Sequence, residues 1–232
     1  MTHQVKWLGH ASFEIITGEG LKILIDPYRE NNPSAPTEEP DPADLVLVTH
    51  DHFDHLENVA GRTAAKGVIV GQPEVLAKIQ ENNPGNLEEE NFVNGGGGMN
   101  IGGTVEVRGV KITMVQAFHS SDAGSPAGYV VQLSDGKTIY HAGDTGIFSG
   151  MELIGELYDL DLALLPIGSV FTMDPAQAAL AVELLQPEKV IPMHFGTFPI
   201  LVPDAAEFVE LAEKHEPDAE VIVLEPGESY NL

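Results

Sequence analysis

Three of the nine histidines in this 232-residue chain stand within six positions, in the run Thr49-His50-Asp51-His52-Phe53-Asp54-His55. Imidazoles and carboxylates crowded in this way cannot be buried without partners, because each unsatisfied polar group costs free energy. A divalent cation is a partner that suits all of them. In extended or turning backbone, residues i and i+2 project the same way, so His50 and His52 can reach one ion together. Asp54 and His55 lie past the turn, placed to face a second ion or to orient a water. Further along, Asp26 ends KILID, His119 ends KITMVQAFH, Asp144 ends TIYHAGD and His194 ends VIPMH. Each follows an apolar stretch, and strand ends in layered folds converge on one rim where ligand sites form.

These residues suit a two-metal centre, in which two divalent ions roughly 3.5–4 Å apart share a bridging carboxylate and a bridging water. His50, His52 and His119 are expected to hold one ion, and Asp54, His55 and His194 the other, with Asp144 between them. A ligand set of nitrogen and oxygen admits one or two ions of zinc, manganese, nickel or iron. The chain has no cysteine, which excludes thiolate ligands, disulfides and a cysteine nucleophile. Asp54 is read as a general base in a one-metal site or mainly a ligand in a two-metal site. Asp26 is expected behind the ligands, accepting a hydrogen bond that fixes the tautomer of a ligand histidine. His141, beside the Ala-Gly-Asp turn, is read either as a similar supporting residue or as a buried, hydrogen-bonded histidine. His10 in LGHAS reads equally as a residue lining the site or as an ordinary turn histidine. Thr172, Met173, Thr197 and Phe198 flank rim loops and are candidate substrate contacts. Loops 29–43, 95–103 and 120–127 are expected to carry the rest of substrate recognition.

The elements that must position these groups are strands first, then strands alternating with helices. VKWLGHASFEIIT (5–17) and KILIDPY (22–28) read as adjacent strands joined by a glycine-bearing turn. Residues 29–43 carry four prolines and read as an exposed loop. DLVLVTH is a continuous apolar run, as a strand buried on both faces requires. KGVIVGQ is a strand, PEVLAKIQEN a helix opened by Pro73, and the four glycines at 95–98 a mobile turn without phosphate-loop spacing. VEVRGVKITMVQAF and AGYVVQLSDGKTIYHAGD each read as strand, turn and strand. DLALLPIG, KVIPMHFG and AEVIVLEPG are further strands. MDPAQAALAVELLQ is a helix capped by Asp174 with Pro175 in its first turn, and DAAEFVELAEKHEPD is another. The pattern predicts one α/β domain of two sheets packed face to face with helices outside.

Thirty-six acidic residues stand against 11 basic ones, for a net charge of -25. Such a surface repels nucleic acid and anionic membranes, so the expected partner is a small-molecule substrate. No stretch approaches the ~20 apolar residues of a membrane helix, and MTHQVKWLGH lacks the pattern of an export signal, so the expected compartment is the cytoplasm. A homo-oligomer is compatible with the size of the chain, and no residue pattern decides it.

THDHFDH matches the His-x-His-x-Asp-His signature of the metallo-β-lactamase superfamily, and Asp26, His119, Asp144 within HAGDTG and His194 match its other motifs in order. With WLGHASFEI, GSVFTMDPAQAA and PMHFGTFP, the chain resembles the small branch of metal-dependent hydrolases that includes ascorbate-6-phosphate lactonase. The resemblance covers nearly the whole chain and implies a four-layer αββα sandwich. It also implies attack of a metal-bound hydroxide on an ester, lactone, amide or phosphodiester, and it tips His10 toward lining the pocket, where that residue would bind substrate or donate a proton to the leaving group. The di-iron oxygen reductases of the superfamily carry glutamate where this chain has His52. An iron-dependent oxidoreductase on the same ligands, and a metal-binding protein without turnover, are the rival functions.

Overall fold

A computed structural model describes residues 1–216 and 218–232. Two sheets share one core. The first has the order β13-β1-β2-β3-β4-β5, built from β1 (Gln4–Trp7), β2 (Phe13–Ile16), β3 (Lys22–Ile25), β4 (Ala43–Leu47), β5 (Thr63–Val70) and β13 (Ser229–Asn231). The second has the order β12-β11-β10-β9-β8-β7-β6. Its strands are β6 (Thr104–Val107), β7 (Val110–Gln116), β8 (Ala127–Gln132), β9 (Thr138–His141), β10 (Leu162–Pro166), β11 (Lys189–Met193) and β12 (Glu220–Val221). Each sheet has an antiparallel side and a parallel side, with β13, β1, β2 and β3 antiparallel and β3, β4 and β5 parallel in the first, and β6 to β9 antiparallel and β9 to β12 parallel in the second.

Side-chain alternation explains the layering. Tyr129, Val131, Leu162, Leu164, Ile191 and Met193 face the core between the sheets. Their neighbours Val130, Ala163, Leu165 and Val190 point the other way, under α3 (Gly150–Leu157), α4 (Pro175–Leu185) and α5 (Ala206–His215). Strands buried on both faces must be apolar throughout, which is why DLALLPIG shows no polar alternation. The first sheet is covered by α2 (Pro73–Asn82) through Val75, Leu76 and Ile79, with the single-turn α1 (Val59–Arg62) at its side. Each such fully buried side chain contributes roughly 1.5–3 kcal/mol relative to exposure. The result is the expected αββα sandwich. Among the described residues no helix is long and apolar enough to cross a membrane.

Local chemistry sets the helix ends. Asp174 caps α4 by accepting from the Gln177 N–H at 2.8 Å, with Pro175 in the first turn, as expected. Four readings need correction. The stretch 5–17 is not one strand: β1 stops at Trp7 and resumes at Phe13, because His10 adopts φ 57° in the turn between. The glycine run at 95–98 is a kinked turn with left-handed backbone at Asn94 and Gly95, and the Met99 N–H that follows it donates to Gly71 O, tying the run to the segment just before α2. AEVIVLEPG pairs only over β12, and the chain end returns as β13 beside β1, Val5 opposite Tyr230. Finally, GMELIGEL, which carries no N-cap hydrogen bond and two glycines, forms α3 and buries Met151 and Ile154.

Glu14 on β2 is buried opposite Lys6, and burial raises its carboxyl above the ordinary value of 4.5, with Lys22 and Lys6 opposing. A raised carboxyl pKa means the folded state binds its proton more tightly than the unfolded chain. Ionised Glu14 therefore destabilises the fold at neutral pH, and that penalty fades as pH falls through the folded value to below about 4.5. Glu14→Gln is expected to raise Tm at pH 7 and to give no gain at pH 4, measured by thermal unfolding at both.

Candidate metal centre

The site lies at the C-terminal ends of strands from both sheets. His50, His52, Asp54 and His55 occupy the loop after β4, Asp26 follows β3, His119 follows β7, Asp144 follows β9 and His194 follows β11. The turn between β1 and β2 adds His10 from the first sheet. His10, Asp26 and His194 all have left-handed backbone, φ 57°, 48° and 59°. Non-glycine residues adopt this region at a cost of about 1 kcal/mol or more, and such strain collects where side-chain direction matters for function.

Two groups of donors result, joined by a third. The ring nitrogens of His50, His52 and His119 lie within 4.8 Å of one another, as do donor atoms of His10, Asp54, His55 and His194. His50, His55 and Asp144 form an overlapping group that spans both. His50 Nε2 is 3.0 Å from His52 Nδ1. Asp144 Oδ2 stands 3.1 Å from His194 Nε2, 3.4 Å from His55 Nε2 and 3.6 Å from His119 Nε2. The grouping expected from the sequence is therefore the grouping in space, with His10 added.

Behind the donors, hydrogen bonds fix the tautomers. Asp26 Oδ2 accepts from His55 Nδ1–H at 2.7 Å and from the Thr49 hydroxyl at 2.6 Å, while Oδ1 accepts from the Thr49 N–H. The Thr49 oxygen, its proton committed to Asp26, accepts from His50 Nδ1–H at 3.0 Å. One buried carboxylate thus turns two imidazoles so that their Nε2 lone pairs face inward. His10 donates Nε2–H to Asp54 Oδ2 at 3.0 Å, and its Nδ1 takes the Thr197 hydroxyl at 3.0 Å. Asp51, between the first two histidines, is also buried. It accepts from Lys78, Ser121 and the N–H groups of Asp122 and Ala123, strapping the loop that carries His119 to the motif and to α2.

Electrostatics follow from burial and these partners. Burial pushes the His10 imidazole down to about 4, with the Asp54 bond opposing, so it is neutral at pH 7. Burial opposes charge on His55 as well, yet Asp144 and Asp26 raise it well above the usual imidazole range. Burial would raise Asp144, but His194 and His55 hold it well below the usual carboxylate range. His50 is driven well below the usual range by burial and by His55.

The donor set passes a direct test of fit for divalent metal. His55 Nε2 and Asp144 Oδ1 are buried and have no hydrogen-bond partner among the described residues, although both belong to the converging cluster. Buried polar atoms are almost always paired, so unpaired ones facing each other's ligand groups mark where a cation belongs. Imidazole and carboxylate donors match zinc, manganese, nickel and iron alike.

Two glycines let the strands approach. Gly143, at φ 63°, precedes Asp144, and a Cβ there would sit 2.5 Å from Ala127 O. Gly168, after β10, faces His194 so closely that a Cβ would overlap the His194 carbonyl oxygen and reach 2.8 Å from Nδ1.

Of the two readings of His141, the structure has the buried, hydrogen-bonded one: it donates Nε2–H to Ala11 O and accepts the Gly143 N–H at Nδ1, so it holds the turn that presents Asp144. Other readings change. Met173 is fully buried in the core under α4, because its backbone pairs with Thr145 and Ser169 and turns the side chain inward. Thr172 does not line the cavity, and Thr197 is buried against His10. Phe198 does line it. The cavity, of about 630 Å³, is otherwise bounded by His10, His52, Asp54, His119, Asp144 and His194 and by Phe53, Ser120, Phe171 and Ile200. Loops 29–43 and 95–103 contribute nothing to its lining. Phe53, Thr49 and Asp51 were missed although they lie inside the motif, where position alone was a signal. Phe171 and Ile200 carried none, since an apolar residue in a turn reads as packing.

Comparison with known proteins agrees with this geometry. A family described as the beta-lactamase superfamily domain matches residues 21–195. A UPF0173 metal-dependent hydrolase of Nitratidesulfovibrio vulgaris is 51% identical over 238 residues, covering 100% of this chain and 96% of its own. A UPF0173 metal-dependent hydrolase of Methanopyrus kandleri is 48% identical, covering 98% and 99%. Among solved structures, Igni18, a metallo hydrolase from Ignicoccus hospitalis, superposes with TM-score 0.86 at 36% identity over 100% of this chain and 99% of its own. With the motif residues gathered in one centre and relatives alike over their full length, the chain belongs to the metallo-β-lactamase superfamily, among the UPF0173 metal-dependent hydrolases.

Proposed function

We propose that this protein is a metal-dependent hydrolase with a two-ion centre, acting on an ester, lactone or phosphodiester bond of a small substrate. The observation that carries the reading is the position of Asp144 Oδ2, within 3.1–3.6 Å of imidazoles from both donor groups. His50, His52 and His119 would hold one ion and Asp54, His55 and His194 the other, with Asp144 shared. Bound divalent ions supply Lewis acidity toward the scissile group and lower the pKa of coordinated water toward ~7.

The chain's own residues do the rest. Asp26 and Thr49 take up the Nδ1–H of His55 and His50, so that the Nε2 atom of each ring is the one aimed inward. His10 holds Asp54 through its Nε2–H, donated to Asp54 Oδ2 at 3.0 Å at the edge of the cavity. Asp54 and His10 are accordingly the proposed proton-handling pair, with Thr197 setting the tautomer of His10. Phe53, Phe171, Phe198 and Ile200 limit access of bulk water from the open side.

The test is elemental analysis of the purified protein beside hydrolysis of a panel of lactones, p-nitrophenyl esters and bis(p-nitrophenyl) phosphate. Two equivalents of zinc, manganese or nickel, with turnover abolished by chelation and restored by the same ion, is the expected result. No bound metal after reconstitution, or full activity after chelation, refutes the proposal, and iron without hydrolysis transfers the centre to redox chemistry.

A further inference from the structure

Resting on the hydrolase reading, we infer that the substrate carries no charged group away from the reacting bond and bears an apolar group, an acyl chain or ring, next to the bond that is cleaved. The cavity has two unlike halves. Its buried side is made of imidazoles and carboxylates, the metal donors already described. Its open side is apolar: Phe53, Phe171 and Ile200 are 66%, 54% and 57% exposed, and Phe198 stands beside them. Large apolar side chains at such exposure are hydrated at a cost, and four of them converging on one opening form a patch that a ligand covers. The patch reaches the donors, since Phe198 meets the His10 ring edge-on at 5.5 Å.

What the lining lacks is equally specific. None of the 11 lysines and arginines of the chain lines the cavity. Lys78, beside the motif, is bound to Asp51, and Arg29 donates to the carbonyls of Pro36, Thr37 and Glu38. Recognition of a phosphate or carboxylate away from the reacting bond relies on such cations or on N–H groups at a helix start. Here an anionic tail would meet phenylalanine and isoleucine, inside a molecule of net charge -25. A volume of about 630 Å³ holds a reacting group together with a ring or a chain of several carbons.

Two measurements on the metal-loaded protein test this. The first is hydrolysis of p-nitrophenyl acetate, butyrate and hexanoate, with the carboxylate-ended glutarate monoester as the charged counterpart. Each methylene buried against the rim is worth up to about fourfold, so hexanoate should exceed acetate by ten- to a hundredfold in kcat/KM. Glutarate should fall at least tenfold below butyrate. In Phe171→Ala, an exposed position whose truncation leaves the core intact, the hexanoate-to-acetate ratio should fall about tenfold. The second measurement is calorimetric binding of N-hexylacetamide and 6-acetamidohexanoate, hydrolysis-resistant amides that differ only in a terminal methyl against a carboxylate. The neutral amide should bind at least tenfold more tightly, and Phe171→Ala should remove most of that difference.

Hydrolysis with flat chain-length dependence, or with preference for the charged partner, overturns the substrate inference and leaves the hydrolase reading standing. Selective binding of the neutral amide with no turnover of any ester or lactone does the reverse. If the rim is instead covered by a second copy of the chain, sedimentation shows a dimer that Phe171→Asp dissociates. Both amides then bind equally, which also overturns the inference.

Discussion

Asp144→Asn is expected to lower hydrolysis about a thousandfold and to reduce bound metal below two equivalents while leaving the fold intact. Asparagine keeps the volume of the side chain and its place after the Gly143 turn, so the strand end is undisturbed. It removes the one negative charge that faces His194, His55 and His119 together. A carboxylate shared between two cations contributes both affinity and charge stabilisation, and loss of a single aligned electrostatic partner in a dry site typically costs 10²–10³-fold in rate. The metal-free protein feels the change as well. His194 and His55 hold Asp144 well below the usual carboxylate range, so a neutral amide leaves those buried imidazoles without their charged partner. The apo variant should therefore melt below the apo wild type, and the metal-induced rise in Tm should shrink. Elemental analysis, rates with the panel above and melting with and without metal check all three. A variant that keeps two ions and full activity would mean the two donor groups do not share this carboxylate.

The second large effect is on stability. Gly168→Ala is expected to destabilise the protein by about 3 kcal/mol or more, seen as a Tm lower by roughly 6–12 °C at this chain size. The added methyl would overlap the His194 carbonyl oxygen and press on the ring nitrogen Nδ1. His194 has little freedom to yield. Its backbone is in the left-handed region, its N–H donates to His10 O at 3.0 Å, and its ring lies 3.9 Å from that of His10. Relief must come from separating the ends of β10 and β11, which breaks core contacts, or from displacing His194, which removes a donor from the centre. Thermal melting reads the first and metal content the second. Gly146→Ala, where the backbone is not left-handed and the added methyl meets nothing nearer than Phe118 O at 3.9 Å, is the comparison that shows the strain is local to the His194 contact rather than general to glycine replacement.

Much of this centre was legible before any coordinates. His50, His52, Asp54, His55, His119, Asp144 and His194 announce themselves because buried polar groups need a reason, and each follows an apolar run that could only be a strand. The same logic placed Asp26 behind a ligand, and the structure puts it against His55. The layering was legible too, since DLVLV, LALLP and VIPM are apolar on both faces and the helices between them carry their own start signals.

What the linear pattern could not supply was direction. Met173 sits two residues from Phe171, yet Phe171 faces the cavity and Met173 the core, because the backbone bonds of Met173 to Thr145 and Ser169 set which way the turn faces. His141 and His10 are each one histidine in an apolar setting. Only the packing of distant segments gives the first Ala11 and Gly143 as partners and the second Asp54 and Thr197. The amino-acid sequence by itself determined which residues are costly to bury and therefore must converge on a cation, because that cost belongs to the side chain. The tertiary structure alone decided what surrounds them, an apolar opening without a cationic side chain. That property arises from loops after strands of two different sheets, and no stretch of contiguous sequence contains it.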